Sequence, residues 1–143
     1  MGKPLIEQIN ITQVAGTTGS TGTTTPILDM TGYEGVLFLG YEETTNTSNQ
    51  LIARGGSATA SLTEYTGPSG GEASGTQANL YLDVFRPKHR YIEGQLNSSL
   101  GTTGNVHLIA IRYGARGLPT TNATDWNGKA LSTPNTGTAT ASG

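Results

Sequence analysis

Apolar side chains in this chain recur in short runs that have the length and the period of β-strands. Residues 9–12 and 80–85 alternate in their apolar side chains with a period of two, as a half-buried strand requires. Residues 36–39, Val-Leu-Phe-Leu, form a continuous apolar run, which predicts a strand buried on both faces. Glycine recurs every few residues, and each glycine in a helix interior costs about 1 kcal/mol relative to alanine. The pattern therefore predicts an all-β chain.

The clearest strands lie between residues 78 and 113. Segments 80–85, 91–96 and 106–113 are separated by two links, 86–90 and 99–104, and strands joined in this way predict an antiparallel meander. With the earlier segments we count six to eight strands, which indicates an antiparallel β-sandwich or a jelly-roll-like core. Its buried residues are expected to be Leu80, Leu82, Val84, Ile92, Leu96, Leu108 and the run 36–39.

The two ends of the chain differ from this core in composition. Residues 1–25 contain a first strand and a Gly/Thr-rich linker without side chains able to build a core, and residues 117–143 are mainly Thr, Asn, Ala, Ser and Gly. We expect residues 26–116 to form the sandwich. The ends are either disordered in an isolated monomer or ordered only against neighbouring subunits. In the second case the anchors are the large apolar residues Leu5, Ile6, Leu118, Trp126 and Leu131.

Composition narrows the classes of function. The chain of 143 residues has no Cys, only 13% charged residues and a net charge of −2. A chain without Cys has no disulfide scaffold, no thiolate metal site and no thiol catalysis. No apolar run approaches the roughly 18 residues that span a bilayer, and the first residues lack the apolar core of a secretory signal. We expect no membrane partner, and with 8 Lys plus Arg no nucleic-acid partner.

Candidate catalytic residues are few. His89 and His107 are the only histidines; the first lies in a basic link and the second within a predicted strand. A serine triad would need a nucleophile-elbow motif, which is absent. The Gly-rich segment 16–22 lacks the Lys-Ser/Thr of a phosphate loop. We therefore expect a protein that is not an enzyme and that uses no cofactor and no metal.

Charge is distributed unevenly along the chain. Up to Phe85 there are eight acids and two bases, a net charge of −6. From residue 86 to 116 there are five bases and one acid, a net charge of +4. Such segregation favours association with an oppositely charged surface. Alternatively, Arg86 and Arg90 pair with Asp83 inside the meander, at about 0–1 kcal/mol per surface pair. The five bases are Arg86, Lys88, Arg90, Arg112 and Arg116.

Two segments of the basic region carry a resemblance. Residues 81–91, YLDVFRPKHRY, and residues 109–119, IAIRYGARGLP, resemble small head proteins of tailed bacteriophages. In those proteins one strand ends in an Asp-Val-x-Arg/Lys-Pro-x-x-Arg-Tyr turn, and a later strand ends in Tyr-Gly-x-Arg and a proline. The segments look like those of decoration, or cement, proteins. The resemblance covers about residues 78–119; beyond them the likeness is limited to size and Gly/Thr richness.

The resemblance implies a structural protein of the virion that binds the outside of the major capsid shell and stabilises it. Its partners would be the major capsid protein and itself, as a homodimer or homotrimer on the capsid lattice. Assembly would take place in the host cytoplasm, a reducing compartment in which proteins rarely depend on disulfides. The basic rim at residues 86–90 and 112–116 would face acidic capsid surface or the acidic half of a sister subunit.

Three other functions compete with this one. A tail-tube or head-completion protein would share the composition and the strand content. A carbohydrate-binding β-module would carry clustered exposed aromatic residues, whereas here the single Trp and the six Tyr are scattered along the sequence. A small β-fold hydrolase would need a convergent polar site.

Overall fold

Ten strands are found in the part of the chain that the structure describes, and none of those residues lies in an α-helix. The structure is a computed structural model that describes residues 5, 8–18, 22–42, 49–64, 72–75, 79–98 and 105–117. The strands are β1 (Asn10–Thr18), β2 (Gly22–Thr24), β3 (Leu28–Asp29), β4 (Gly35–Glu42), β5 (Asn49–Gly56), β6 (Thr63–Glu64), β7 (Glu72–Gly75), β8 (Asn79–Phe85), β9 (Tyr91–Ser98) and β10 (Asn105–Tyr113).

The strands form two antiparallel sheets that pack against each other. The first sheet has the order β1-β10-β4-β8. The second has the order β2-β9-β5-β6, with β3 also pairing with β9 and β7 with β5. The predicted fold class, an all-β antiparallel sandwich, is confirmed.

The hydrophobic core lies between the sheets and takes its residues mainly from β4, β5, β8, β9 and β10, where buried positions alternate along the strand. Phe38 of β4 and Leu96 of β9 are fully buried in its middle. Gly94 lets the sheets approach here, because a Cβ at position 94 would collide with the Phe38 ring. The buried hydrophobic cluster consists of Leu28, Met30, Val36, Phe38, Leu51, Ala53, Leu82, Ile92, Leu96, Val106, Leu108 and Ala110.

The predicted core is largely confirmed, with one correction. Of its members, Leu82, Ile92, Leu96 and Leu108 are buried, whereas Leu80 and Val84 are half-buried and pack against the cluster. The run 36–39 is not buried on both faces, and that prediction was wrong. Val36 and Phe38 point inward, whereas Leu37 is half-buried and Leu39 exposed on the outer side of the sheet.

The predicted meander was also wrong. Strands β8 and β10 belong to the first sheet, where each pairs with β4, and β9 belongs to the second sheet, where it pairs with β5. The chain therefore crosses between the sheets after β8 and again after β9. Sequential strands usually pair with each other. In a sandwich, however, consecutive strands can also belong to opposite sheets and face each other across the core.

The N-terminal segment contributes more to the sandwich than its composition predicts. Strand β1 pairs with β10, and β2 pairs with β9. Thr25 is buried, and its hydroxyl accepts a hydrogen bond of 3.0 Å from the Gly94 amide, while its own amide donates to the Gly94 carbonyl at 2.8 Å. A buried threonine is stable when its hydroxyl is paired, so a Thr-rich segment can be part of a core. Residue 25 therefore does not separate an arm from the sandwich.

Candidate functional site

Three chain connections meet at one end of the sandwich. They are residues 30–34 between β3 and β4, residues 86–90 between β8 and β9, and residues 114–117 after β10. The Arg86 amide donates to the Glu34 carbonyl at 2.7 Å, and the Arg116 amide donates to the Gly32 carbonyl at 2.8 Å. The connections enclose a cleft of about 480 Å³ lined by Met30, Thr31, Tyr33, Glu34, Arg86, Pro87, Lys88, His89, Arg90 and Arg116.

The lining of this basic cleft carries most of the positive charge that the sequence segregates. Four bases, Arg86, Lys88, Arg90 and Arg116, face one acid, Glu34. The fold therefore brings together side chains that lie up to 30 residues apart in the sequence, because β8 and β10 end at the same edge of the first sheet. Four of the five predicted basic residues thus line one surface, and Arg112 does not.

Arg90 is paired within the protein. Its Nη2 donates to Asp29 Oδ2 at 2.8 Å, and its Nε donates to Oδ1 of the same carboxylate at 3.1 Å. Asp29 also accepts from the Thr31 amide and hydroxyl at 2.9 and 2.7 Å. These hydrogen bonds, above all that from Arg90, hold the Asp29 pKa well below its usual range, and Asp29 in turn raises the pKa of Arg90.

Arg112 has a structural role rather than an exposed one. Its guanidinium donates to the Asp29 carbonyl at 2.8 Å and to the Asn10 side chain, and it stacks 4.7 Å from the centroid of the Tyr33 ring. These contacts link β10 to β1 and to the β3–β4 connection. Arg112 therefore supports one wall of the cleft from behind and is not among its lining residues.

Arg86, Lys88 and Arg116 differ from these two arginines, because no carboxylate in the described part of the chain pairs with them. Arg86 stacks 5.1 Å from the centroid of the Phe85 ring. Its backbone has φ of 49°, a left-handed conformation that costs a residue with a side chain about 1–3 kcal/mol. The chain accepts this strain at the turn that places the Arg86 guanidinium beside the cleft.

The alternative pairing of Arg86 and Arg90 with Asp83 is not what the structure contains. The partner of Arg90 is Asp29, whereas Asp83 accepts a hydrogen bond of 2.6 Å from the Tyr113 hydroxyl. Burial and the hydrogen bond to Asp83 raise the Tyr113 pKa, so this hydroxyl stays protonated at neutral pH.

Sequence reasoning missed one wall of the cleft and one face of the first sheet. Tyr33 and Glu34 form the wall, but they lie some 50 residues before the basic segment and carry no local signal. The fold also collects scattered aromatic residues on the outer side of the first sheet: Tyr81 is 72% exposed, Phe85 56% and Tyr41 46%. These residues are scattered in the sequence but lie on one face of the fold, so their sequence positions no longer argue against a carbohydrate-binding module.

The predicted apolar anchors fall mostly beyond the described residues. Leu5 is 69% exposed. Ile6, Leu118, Trp126 and Leu131 lie outside the described residues, as does the predicted tail from 118 onward. The use of these residues as anchors stays a prediction.

Metal and membrane sites have no support within the described segments. No three His, Asp or Glu side chains there lie close enough to hold a metal ion, and no helix there is long and apolar enough to cross a membrane. No protein-family model matches the chain, and neither a curated protein nor a solved structure is significantly similar to it.

Proposed function

We propose that this chain is a decoration protein of a tailed-bacteriophage capsid, which binds the outside of the major capsid shell and stabilises it without catalysing a reaction. The observation that carries the proposal is the basic cleft. Both segments of the resemblance contribute to the same end of the sandwich: the first supplies Arg86, Lys88 and Arg90 to the cleft, and the second supplies Arg116.

The chemistry of the cleft fits a protein partner with exposed carboxylates. Arg86, Lys88 and Arg116 have no acidic partner among the described residues, so binding to them breaks no internal ion pair. Arg86 and Arg116 can each hold a carboxylate through two parallel hydrogen bonds. Stacking on the Phe85 ring restrains the Arg86 guanidinium before binding, which lowers the entropy lost on association.

Binding to empty shells of the major capsid protein encoded with this chain tests the proposal. We expect the chain to cosediment with the shells and to raise their melting temperature, because a ligand that binds only the assembled form stabilises it by mass action. Arg116→Gln and Lys88→Gln should each weaken binding by about five- to tenfold, and added salt should weaken it further.

The matched control is Arg54→Gln, which removes a charge of the same kind from the second sheet, where Arg54 pairs with Glu93. Its effect on binding should be less than about twofold. Equal losses for Arg54→Gln and Arg116→Gln, or shells whose melting temperature is unchanged by the chain, would contradict the proposal. Rings or tubes formed by the chain without shells would favour a tail-tube protein instead.

A further inference from the structure

The outer face of the first sheet is apolar over most of its area. Register places three rows of outward residues across its strands: Ile11, Ile111, Leu37 and Asp83 in one, Gln13, Ile109, Leu39 and Tyr81 in the next, and His107, Tyr41 and Asn79 in the third. Five aliphatic residues thus occupy neighbouring positions at its centre, of which Leu39 is exposed and the other four are half-buried, and tyrosines lie around them. An antiparallel sheet that faces water usually has a polar outer side, so this face is built to be covered.

Charge decides what kind of partner this face accepts. Its three rows contain no Lys or Arg and one acid, Asp83, which already accepts a hydrogen bond from Tyr113. Two identical copies of the face therefore meet without like-charge repulsion. The basic cleft has the opposite property, because two copies of it would repel each other.

The face offers both a protruding side chain and a groove. Tyr81 protrudes beside a groove of about 350 Å³, which is lined by Leu39, Gly40, Tyr41, Asn79, Leu80, Tyr81, His107 and Ile109. In a two-fold dimer the same patch serves both partners, so it must offer a protrusion and a recess together. Tyrosines held in pockets at the centre of an interface are common sources of binding energy.

The dimensions suit a reversible dimer. The four strands lie about 4.8 Å apart, and each is about seven residues long with a rise of about 3.4 Å per residue. The face therefore measures roughly 19 by 24 Å. Two such faces in contact remove on the order of 1,000 Å² of surface, near the lower limit for a specific complex.

We propose that the first sheet is a self-association surface, on which two copies of this chain stack face to face as a two-fold dimer. This dimer would form without the capsid, and it is measured in the absence of shells. It leaves the basic cleft of each copy open to another partner, since the cleft lies at the end of the sandwich and not on the sheet face.

Sedimentation velocity of the full chain over a roughly hundredfold range of concentration is the first test. We expect a monomer–dimer equilibrium. Leu39→Glu and Tyr81→Ala should each raise the dimer dissociation constant about tenfold or more, because both side chains are exposed in the monomer. Gln95→Glu, which places the same charge on the outer side of β9 in the second sheet, should leave it unchanged.

A second test needs no charged substitution. The chain has no Cys, so a single introduced thiol reacts at one position only. Packed sheets lie about 10 Å apart, too far for a direct disulfide but within reach of a short bismaleimide. Leu39→Cys should cross-link into a covalent dimer, and Gln95→Cys should stay monomeric.

Four outcomes overturn the proposal. A monomer at every concentration excludes the dimer, and a dimer that survives Leu39→Glu and cross-links better through Gln95→Cys places it elsewhere. A monomer whose Tyr41 and Tyr81 resonances shift on adding glucose assigns the groove to a sugar. A monomer whose binding to shells is abolished by Leu39→Glu assigns the face to the capsid. Failure of the shell-binding tests alone leaves the dimer intact and refutes only the decoration function.

Discussion

The two sheets share one core but have opposite outer surfaces. On the second sheet, most outward residues of β5 and β9 are polar, and two pairs contact each other across these strands: the Asn97 amide donates to Gln50 at 3.2 Å, and Arg54 forms an ion pair of 3.4 Å with Glu93. Both ion pairs found among the described residues lie on the strands or the borders of this sheet. The first sheet has aliphatic and aromatic residues at the equivalent outward positions.

The difference separates the requirements of folding from those of association. A sandwich needs apolar residues only on the inner side of each sheet, and among the outward positions of β5 in the second sheet only Ile52 is a large apolar residue. The first sheet carries a second apolar layer whose Leu39, Tyr41 and Tyr81 stay exposed in one copy and so add little to its fold. An apolar layer of this kind is stabilising only when another surface removes it from water.

Neighbouring residues of β4 provide the sharpest test of this comparison. Phe38 is fully buried between the two sheets, whereas Leu39 points outward. Phe38→Ala should lower the free energy of unfolding by about 3–5 kcal/mol because it leaves a cavity. Leu39→Thr should change it by less than about 0.5 kcal/mol and should weaken self-association. Urea unfolding at low protein concentration measures the stability of both variants, and sedimentation velocity measures the self-association of Leu39→Thr. A loss above about 2 kcal/mol for Leu39→Thr would place that residue in the core.

Strands were predictable from the sequence, but their partners were not. The period of two at residues 80–85 and 9–12 sets which side chains point inward, and Leu82 is buried as that period requires. Strands adjacent in sequence usually pair, but adjacency does not determine which sheet a strand enters, and β9 was therefore assigned the wrong partners. The turn at Arg86 redirects the chain from one sheet to the other, and a left-handed residue that is not glycine has no sequence signature.

The candidate site was predictable in part. Clustered bases at 86–90 and 112–116 indicated a basic rim, because local charge density is visible in a sequence. The structural use of Arg112 and the wall at Glu34 depend on contacts between distant segments, which a sequence does not display. The run 36–39 was correctly recognised as apolar on both faces. The prediction was wrong because it assumed that both faces of this strand are buried within one copy of the chain.

Removing the ion pair on the second sheet tests the other half of the comparison. Arg54 donates to the Leu62 carbonyl at 3.1 Å as well as to Glu93, and it is only partly exposed. Arg54→Ala should therefore lower the free energy of unfolding by about 1–1.5 kcal/mol. It should leave the dimer dissociation constant unchanged, because this face has no part in association. A weaker dimer on sedimentation would show that the second sheet also contributes to self-association.

The smallest expected effect is the pH dependence contributed by Asp29. Its pKa is lowered in the folded protein, mainly by the hydrogen bonds from Arg90, whereas an unfolded chain takes up the proton near pH 3.9. The Asp29–Arg90 pair therefore stabilises the fold above about pH 5, and its contribution is lost as the pH falls through the lower folded pKa. Because both side chains of the pair are exposed to solvent, this contribution is small.

Urea midpoints of the wild type and of Asp29→Asn, measured between pH 7 and pH 2, test this sign. The variant should be less stable at pH 7, and its difference from the wild type should shrink on acidification, since protonation removes the charge that the substitution removes. Leu39→Thr, on the opposite sheet, alters no titrating group and should keep the slope of the wild type. A difference between wild type and Asp29→Asn that grows toward pH 2 would mean that the folded carboxyl does not hold a lowered pKa. The charges of the second sheet would then not act on stability in the way their geometry indicates.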